Sequence, residues 1–338
     1  MKKPEEKDRN LYGVIDIGGT KIYAAVMNGQ GAIRGADRKR TRAERGFKAV
    51  MERAAKCLEE ACEDAGVALR TLRAVGVGAP GPVLADGTVV NAPNVKWHKA
   101  PVAKALSLRL KRPVFVENDC NAATLGEYAL GAGRGAEILV GFYVGTGLGG
   151  GIVYKGDVVR GANRQAAELG HMIVEKDGRL CGCGHRGCLE AYASKTGMAA
   201  FFTEAIDKKR RRSSLPALCK GRQYATIKAT ALGQAYRKKD AVAVEGVNRA
   251  AEYLGLGIAN LITTIGPDRV VLGGGVIEAL GRGLLPRIRQ AARAATHPPT
   301  SFRDTKIVLS ALGDNAVVTG AMIYARERMA EKKKRPKK

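Results

Sequence analysis

The chain has 338 residues, 45% of them apolar, and 57 Lys and Arg against 32 Asp and Glu, a formal net charge of +25. That length predicts about two domains, and the apolar share matches a globular chain with a sizeable core. No run of about 18 apolar residues is present, so no membrane span is expected. The basic excess favours encounter with anionic ligands. With 5% aromatics and one tryptophan there is no stacking platform beside it, and nucleic-acid binding is not expected.

Residues 1–10 are charged, with no apolar stretch behind the lysines, and do not read as a secretory signal. The first element is the apolar run 11–17, which ends next to Asp16. Gly18-Gly19-Thr20-Lys21 then turns the chain into a return strand over 22–27. Helical periodicity follows over 47–65, closed by Gly66. A buried strand (74–77), a Gly/Pro turn (78–82), a helix (101–110) and a strand (113–117) come next. Asn118-Asp119 opens a helix toward Leu130, where a short polar side chain suits the N-cap. A second strand–turn–strand spans 138–154 around Gly145-Thr146-Gly147-Leu148-Gly149-Gly150-Gly151. It repeats the plan of residues 11–27, as a diverged duplication would. Beyond about 190 the chain reads as mainly helical to 264, interrupted by a basic, loop-like stretch at 208–222. A strand over 268–272 is closed by Gly273-Gly274-Gly275, and a last helix is expected from near 313–315 to a point before the lysine run at 332–338. The basic runs 38–40, 208–212 and 332–338 are read as solvated or disordered.

The densest chemistry lies between Glu168 and Glu190. His171, Cys181, Cys183 and Cys188 form a Cys₃His set inside eighteen positions, the ligand types of a closed tetrahedral zinc site. His185 competes for the fourth position, but it sits inside the tight cysteine turn. Seven cysteines, three of them clustered, fit a reducing compartment and metal use better than a disulfide framework, so a cytoplasmic protein is expected.

Three glycine turns, at 18–20, 145–151 and 273–275, each follow an apolar strand. Glycine there lets backbone N–H groups approach phosphate oxygens. Gly145, Gly147 and Gly150 satisfy a dinucleotide pattern, but that pattern requires a helix after the turn. Residues 152–154 read as a strand, so a dehydrogenase is disfavoured, and no Walker-type P-loop is present.

Strands and helices in mixed alternation give an α/β protein, and the three turns with an acid at the first resemble the actin, Hsp70 and hexokinase-like ATPase fold, with its duplicated ribonuclease H-like domains. Asp16 to Lys21, Glu117-Asn118-Asp119, the 145–151 turn, Glu168-Leu169-Gly170-His171, the Cys181–Glu190 block and Leu272 to Val276 occur in the order of ROK family sugar kinases. The resemblance covers roughly residues 11–329 and points to the bacterial glucokinase branch. It implies a small α/β domain of 11–118 plus a helix over about 316–329, a large domain of 119–315 with the zinc site, and charged tails at 1–10 and 330–338. It also implies transfer of the ATP γ-phosphate to the 6-hydroxyl of a hexose, glucose first, with Asp119 as the base. Gly81, Asn94, Asn118, Glu168, His171 and Glu190 would bind sugar together with Asp119. Asp16 would hold Mg²⁺ through water, while Gly18, Gly19, Thr20, Lys21, Gly145, Thr146 and Gly147 line the phosphates. Gly274 and Gly275 would lie under the adenosine. Zn²⁺ would be structural, and His171 would serve both metal and sugar. A homodimer or homotetramer is expected from the resemblance. Open alternatives are another acceptor (fructose, mannose, N-acetylglucosamine or N-acetylmannosamine), polyphosphate as donor, and a sugar-responsive repressor. The repressor is disfavoured because only ten residues, seven of them charged, precede the first strand.

Overall fold

The computed structural model describes residues 10–334, and its contacts divide the chain into two compact units. The first takes the chain up to Arg134, then Gly156–Ala166, then everything from Asp314; the second is Gly135–Lys155 with Ala167–Gly313.

In the first unit β1 (Leu11–Ile17), β2 (Lys21–Asn28) and β3 (Ile33–Arg40) form an antiparallel meander, followed by α1 (Gly46–Asp64), β4 (Val75–Ala79), a small hairpin of β5 (Val89–Ala92) and β6 (Trp97–Ala100), α2 (Val102–Leu110), β7 (Val114–Asn118) and α3 (Asp119–Leu130). The sheet order is β3-β2-β1-β4-β7, with β4 and β7 parallel to β1. β1 and β2 are buried almost throughout, which is why they read as continuous apolar runs. The apolar stripe of α1, from Val50 through Ala54, Leu58 and Ala61, recurs at helical spacing and covers this sheet.

The chain then enters the second unit with β8 (Ile138–Val144) and β9 (Leu148–Tyr154), and a short β10 (Asp157–Val158) lies in the Gly156–Ala166 segment of the first unit. Next come α4 (Glu190–Ala193), α5 (Lys195–Phe202), α6 (Ala229–Arg237), α7 (Ala241–Ile265), β11 (Arg269–Gly273), α8 (Gly275–Ala295), α9 (Ser301–Asp304) and β12 (Lys306–Leu309), and α10 (Ala316–Lys334) closes the chain. The order β9-β8-β11-β12 repeats β2-β1-β4-β7, one antiparallel hairpin followed by parallel strands. The duplication expected from the two hairpins is thus a duplication of topology. The second core gathers Phe142, Leu189, Met198, Phe202, Leu254, Ile258 and Ile288. No helix among the described residues is long and apolar enough to cross a membrane.

Several expectations are corrected. The basic run 38–40 is ordered as the end of β3: the Arg38 guanidinium lies 4.3 Å from the Tyr23 ring centroid, and Lys39 pairs with Asp37 at 3.2 Å and with Glu60. The last helix does not stop before the lysine run but continues through Lys334. Residues 208–222 are irregular as expected, yet not a free charge run, since Lys209, Arg211 and Arg222 each meet a carboxylate at 2.7 Å. The turn of the second hairpin is only Gly145–Gly147, because β9 begins at Leu148. The first unit runs past residue 118, because α3 lies against α10 at backbone distance. A Cβ at Gly320 would fall 1.6 Å from the Ala122 carbonyl oxygen, and one at Gly126 would fall 2.4 Å from that of Ala316.

Candidate active site

On the first unit the candidate residues collect at the C-terminal ends of β1, β4 and β7. Parallel strands present their carboxyl ends to a ligand at such an edge. Asp16 is in register with Gly78 on β4, which pairs with Glu117 on β7. Asn118 caps α3 by accepting from the Asn121 N–H at 3.0 Å. Its amide donates to the Gly81 carbonyl at 3.1 Å and to Asp119 Oδ1 at 3.2 Å. Asp119 Oδ1 also accepts from the Cys120 N–H at 2.8 Å. Gly81 has φ +81°, and a Cβ there would lie 2.1 Å from the Asn91 carbonyl oxygen, so only glycine makes this turn. Asn94 faces the Gly18-Gly19 turn, 3.5 Å from where a Cβ on Gly19 would stand.

Burial pushes the Asp16 carboxyl up to about 7, helped by the negative charge of Asp119 and opposed by Lys21. Burial likewise raises Asp119, against the donors from Cys120 and Asn118. Two acids held this way form a place deficient in positive charge, which fits a magnesium ion carried in with phosphate. Lys21 Nζ meets Asp314 at 3.1 Å, and Arg38 reaches the same carboxylate at 3.5 Å.

On the second unit the zinc expectation can be tested by geometry. The ligand atoms of His171, Cys181, Cys183 and Cys188 all lie within 4.8 Å of one another. His171 Nδ1 is 3.8 Å from Cys181 Sγ, and Cys183 Sγ is 3.6 Å from Cys188 Sγ. Bonds of about 2.3 Å to a tetrahedral centre give edges of about 3.8 Å, so the set fits zinc. His185 approaches Cys183 at 3.7 Å but is not one of the four that converge. Cys181 and Cys188 are buried against Ala191 and Tyr192, and the Tyr192 hydroxyl accepts the Arg179 N–H at 2.6 Å, tying down the loop before the cysteines.

Glu190 connects this cluster to the β8–β9 turn. Its Oε2 accepts the Leu148 N–H at 2.8 Å, while Oε1 lies 3.5 Å from Cys181 Sγ. A Cβ on Gly147 would sit 2.4 Å from Glu190 Oε2, so any side chain there would displace the Glu190 carboxylate from its contact with the Leu148 N–H. The Thr146 carbonyl is held by Thr196, whose N–H and hydroxyl both donate to it. Glu168 stands just before the turn that carries His171, and Gly170 there packs against the Leu148 carbonyl with no room for a Cβ. The third glycine turn differs from the other two because it opens a helix: Gly274 has φ +87° and Gly275 begins α8. A cavity of about 600 Å³ lies beside it, lined by Tyr236, Arg237, Gly273, Ile277, Gly281 and Ser310, within the range of small-molecule sites.

Sequence reading missed Asn121, Arg160 and Asp314. Nothing near Arg160 or Asp314 in the sequence marks them; both are found only through their partners.

The ROK family model matches residues 12–328. A glucokinase of Halalkalibacterium halodurans is 35% identical over 329 residues, covering 96% of this chain and 98% of its own length. An N-acetylgalactosamine kinase of a Shewanella species is 32% identical, covering 93% of this chain and 96% of its own. The crystal structure of a ROK family glucokinase from Streptomyces griseus, in complex with glucose and AMPPNP, superposes with a TM-score of 0.83 at 33% identity, covering 94% of this chain and 100% of that one. With the family model and these relatives matching along nearly its whole length, the chain belongs to the ROK family.

Proposed function

We propose that this protein is an ATP-dependent hexose kinase that transfers the γ-phosphoryl group of ATP to the 6-hydroxyl of glucose. The observation that carries the reading is the state of Asp119. Its Oδ1 accepts the Asn118 amide and the Cys120 N–H, which fix the carboxylate where β7 becomes α3, and burial raises its affinity for a proton. A base whose pKa is lifted toward working pH transfers protons most effectively. Asp119 takes the proton of the 6-hydroxyl as its oxygen bonds to the γ-phosphorus, and the bond from phosphorus to the β,γ-bridging oxygen breaks, releasing ADP.

Asp16 orients the magnesium ion of Mg·ATP, which supplies positive charge to the phosphate oxygens. The Gly18–Lys21 and Gly145–Gly147 turns line the phosphates, and the cavity beside Gly274 and Gly275 receives the adenosine. Asn94, Asn118, Glu168, His171, Glu190 and the Gly81 turn bind the sugar. Glu190 keeps acceptor capacity because a carboxylate has about four lone-pair positions and the Leu148 N–H uses one. His171, Cys181, Cys183 and Cys188 would hold a structural zinc ion, which would fix the His171 ring and leave its other nitrogen for the sugar.

The test is a coupled assay with glucose and Mg·ATP. Asp119→Asn is expected to lower kcat on the order of 10²- to 10⁴-fold while glucose still binds; wild-type kcat in this variant would reject the base. A panel with N-acetylgalactosamine, mannose and fructose in place of glucose tests the acceptor.

A further inference from the structure

We propose that Arg160 is a positioning residue for phosphoryl transfer: by pinning the buried Glu117 carboxylate it fixes Asn118 and Asn121, and through them the orientation of Asp119. The inference rests on the reading of Asp119 as the base.

Glu117, the penultimate residue of β7, is 2% exposed. A carboxylate buried to that degree is costly unless its charge is matched and its lone pairs are filled. Both conditions are met, and by different groups on its two oxygens. Oε2 receives two guanidinium nitrogens of Arg160, Nε at 2.7 Å and Nη2 at 2.6 Å. Oε1 receives the Asn118 N–H at 3.0 Å and the Asn121 amide at 3.3 Å. One carboxylate therefore links a cation 43 positions away in sequence to the backbone where β7 becomes α3. The next bond in the series is the one from the Asn118 amide to Asp119 Oδ1. Arg160 is itself constrained: Nη1 donates to the Val158 carbonyl at 3.2 Å, and the guanidinium lies 5.2 Å from the Tyr324 ring centroid.

The same segment restrains the other support of Asn118. Arg164 donates Nε to the Val83 carbonyl at 3.0 Å, two residues beyond the Gly81 carbonyl that accepts from the Asn118 amide. Two arginines of Gly156–Ala166 thus grip the two structures that aim Asn118. Arg160 commits Nε, Nη1 and Nη2 to protein acceptors, and Arg164 commits Nε, so their contribution is orientation.

The experiment compares Arg160→Met, Arg160→Lys, Glu117→Gln and Asp119→Asn in the full-length protein, by steady-state kinetics in glucose and in Mg·ATP together with circular dichroism and thermal melting. A misdirected base loses rate steeply with small displacement, so Arg160→Met is expected to lower kcat on the order of 10- to 100-fold with KM for Mg·ATP unchanged. Arg160→Lys should recover part of the loss, since an ammonium restores the charge but not the paired N–H donors. If Arg160→Met does not fold, Glu117→Gln keeps the buried shape and is expected to lose kcat in the same way. Wild-type kcat in a folded Arg160→Met or in Glu117→Gln overturns the proposal. So does a loss in Arg160→Met that disappears when the assay is run well below its melting temperature, because that would be instability alone. Full turnover in Asp119→Asn would instead overturn the base assignment, and inactive Asp119→Asn beside fully active Arg160→Met would leave that assignment standing and reject only the role of Arg160.

Discussion

Asp16→Asn is expected to stabilise the ligand-free protein while removing its activity, and the gain should depend on pH in a defined way. Burial, and after it the charge of Asp119, carry the Asp16 carboxyl from 3.8 to about 7 in the folded protein. An acid whose folded pKa is raised contributes full stability below its unfolded value and loses it as pH rises through the folded value. At about 1.4 kcal/mol per pH unit, the loss amounts to about 2 kcal/mol at pH 5 and about 4 kcal/mol at pH 8. Asparagine keeps the shape and carries no charge, so it escapes this loss. Trp97 is the single tryptophan and is buried in the first unit, so its fluorescence in a urea titration reports the unit that holds Asp16. In buffer without magnesium or nucleotide, the midpoint advantage of Asp16→Asn should grow between pH 5 and pH 8. Added Mg·ATP should then stabilise the wild type far more than the variant. An advantage that is equal at both pH values, or a wild type that is the more stable at pH 8, would show that Asp16 is not held in the strained charge state argued here.

Two further outcomes follow from the packing. The purified protein is expected to hold one zinc per chain by metal analysis, and Cys188→Ser to lose it and become open to proteolysis within 168–190; wild-type protein devoid of zinc would dismiss the structural metal. Gly320→Val places a Cβ 1.6 Å from the Ala122 carbonyl oxygen, where only a backbone shift can make room. It should destabilise the first unit by about 3 kcal/mol or more, read as a lower midpoint by Trp97 fluorescence, and an unchanged midpoint would mean that α3 and α10 do not touch at backbone distance.

How much was legible in the chain depended on how local the physics was. The two hairpins could be read because each is a continuous apolar run broken by glycine, and both occur as expected, though β9 takes four residues, Leu148 to Gly151, that looked like turn. The convergence of His171, Cys181, Cys183 and Cys188 could be read because three thiols and an imidazole lie within eighteen positions. β3 could not be read: Ile33–Arg40 has only Gly35 buried, and it becomes a strand because β2 offers an open edge. α8 was hidden by a glycine start and an internal Pro286, which locally resemble a turn. The course of α10 into the lysine run is likewise decided by its packing against α3 and not by its own polar end.

The active-site reading divides in the same way. The order of motifs along the chain nominated Asp119 as a base only through the resemblance to ROK kinases, whereas His171 with three cysteines could be nominated as a metal set directly, because that chemistry needs particular side chains at short spacing. The binding of Arg160 to Glu117, the grip of Glu190 on Leu148, and the charge state of Asp16 were decided only by the tertiary structure. Each depends on burial and on partners tens of residues apart, and a carboxylate acquires its pKa and its orientation from the groups that surround it in space.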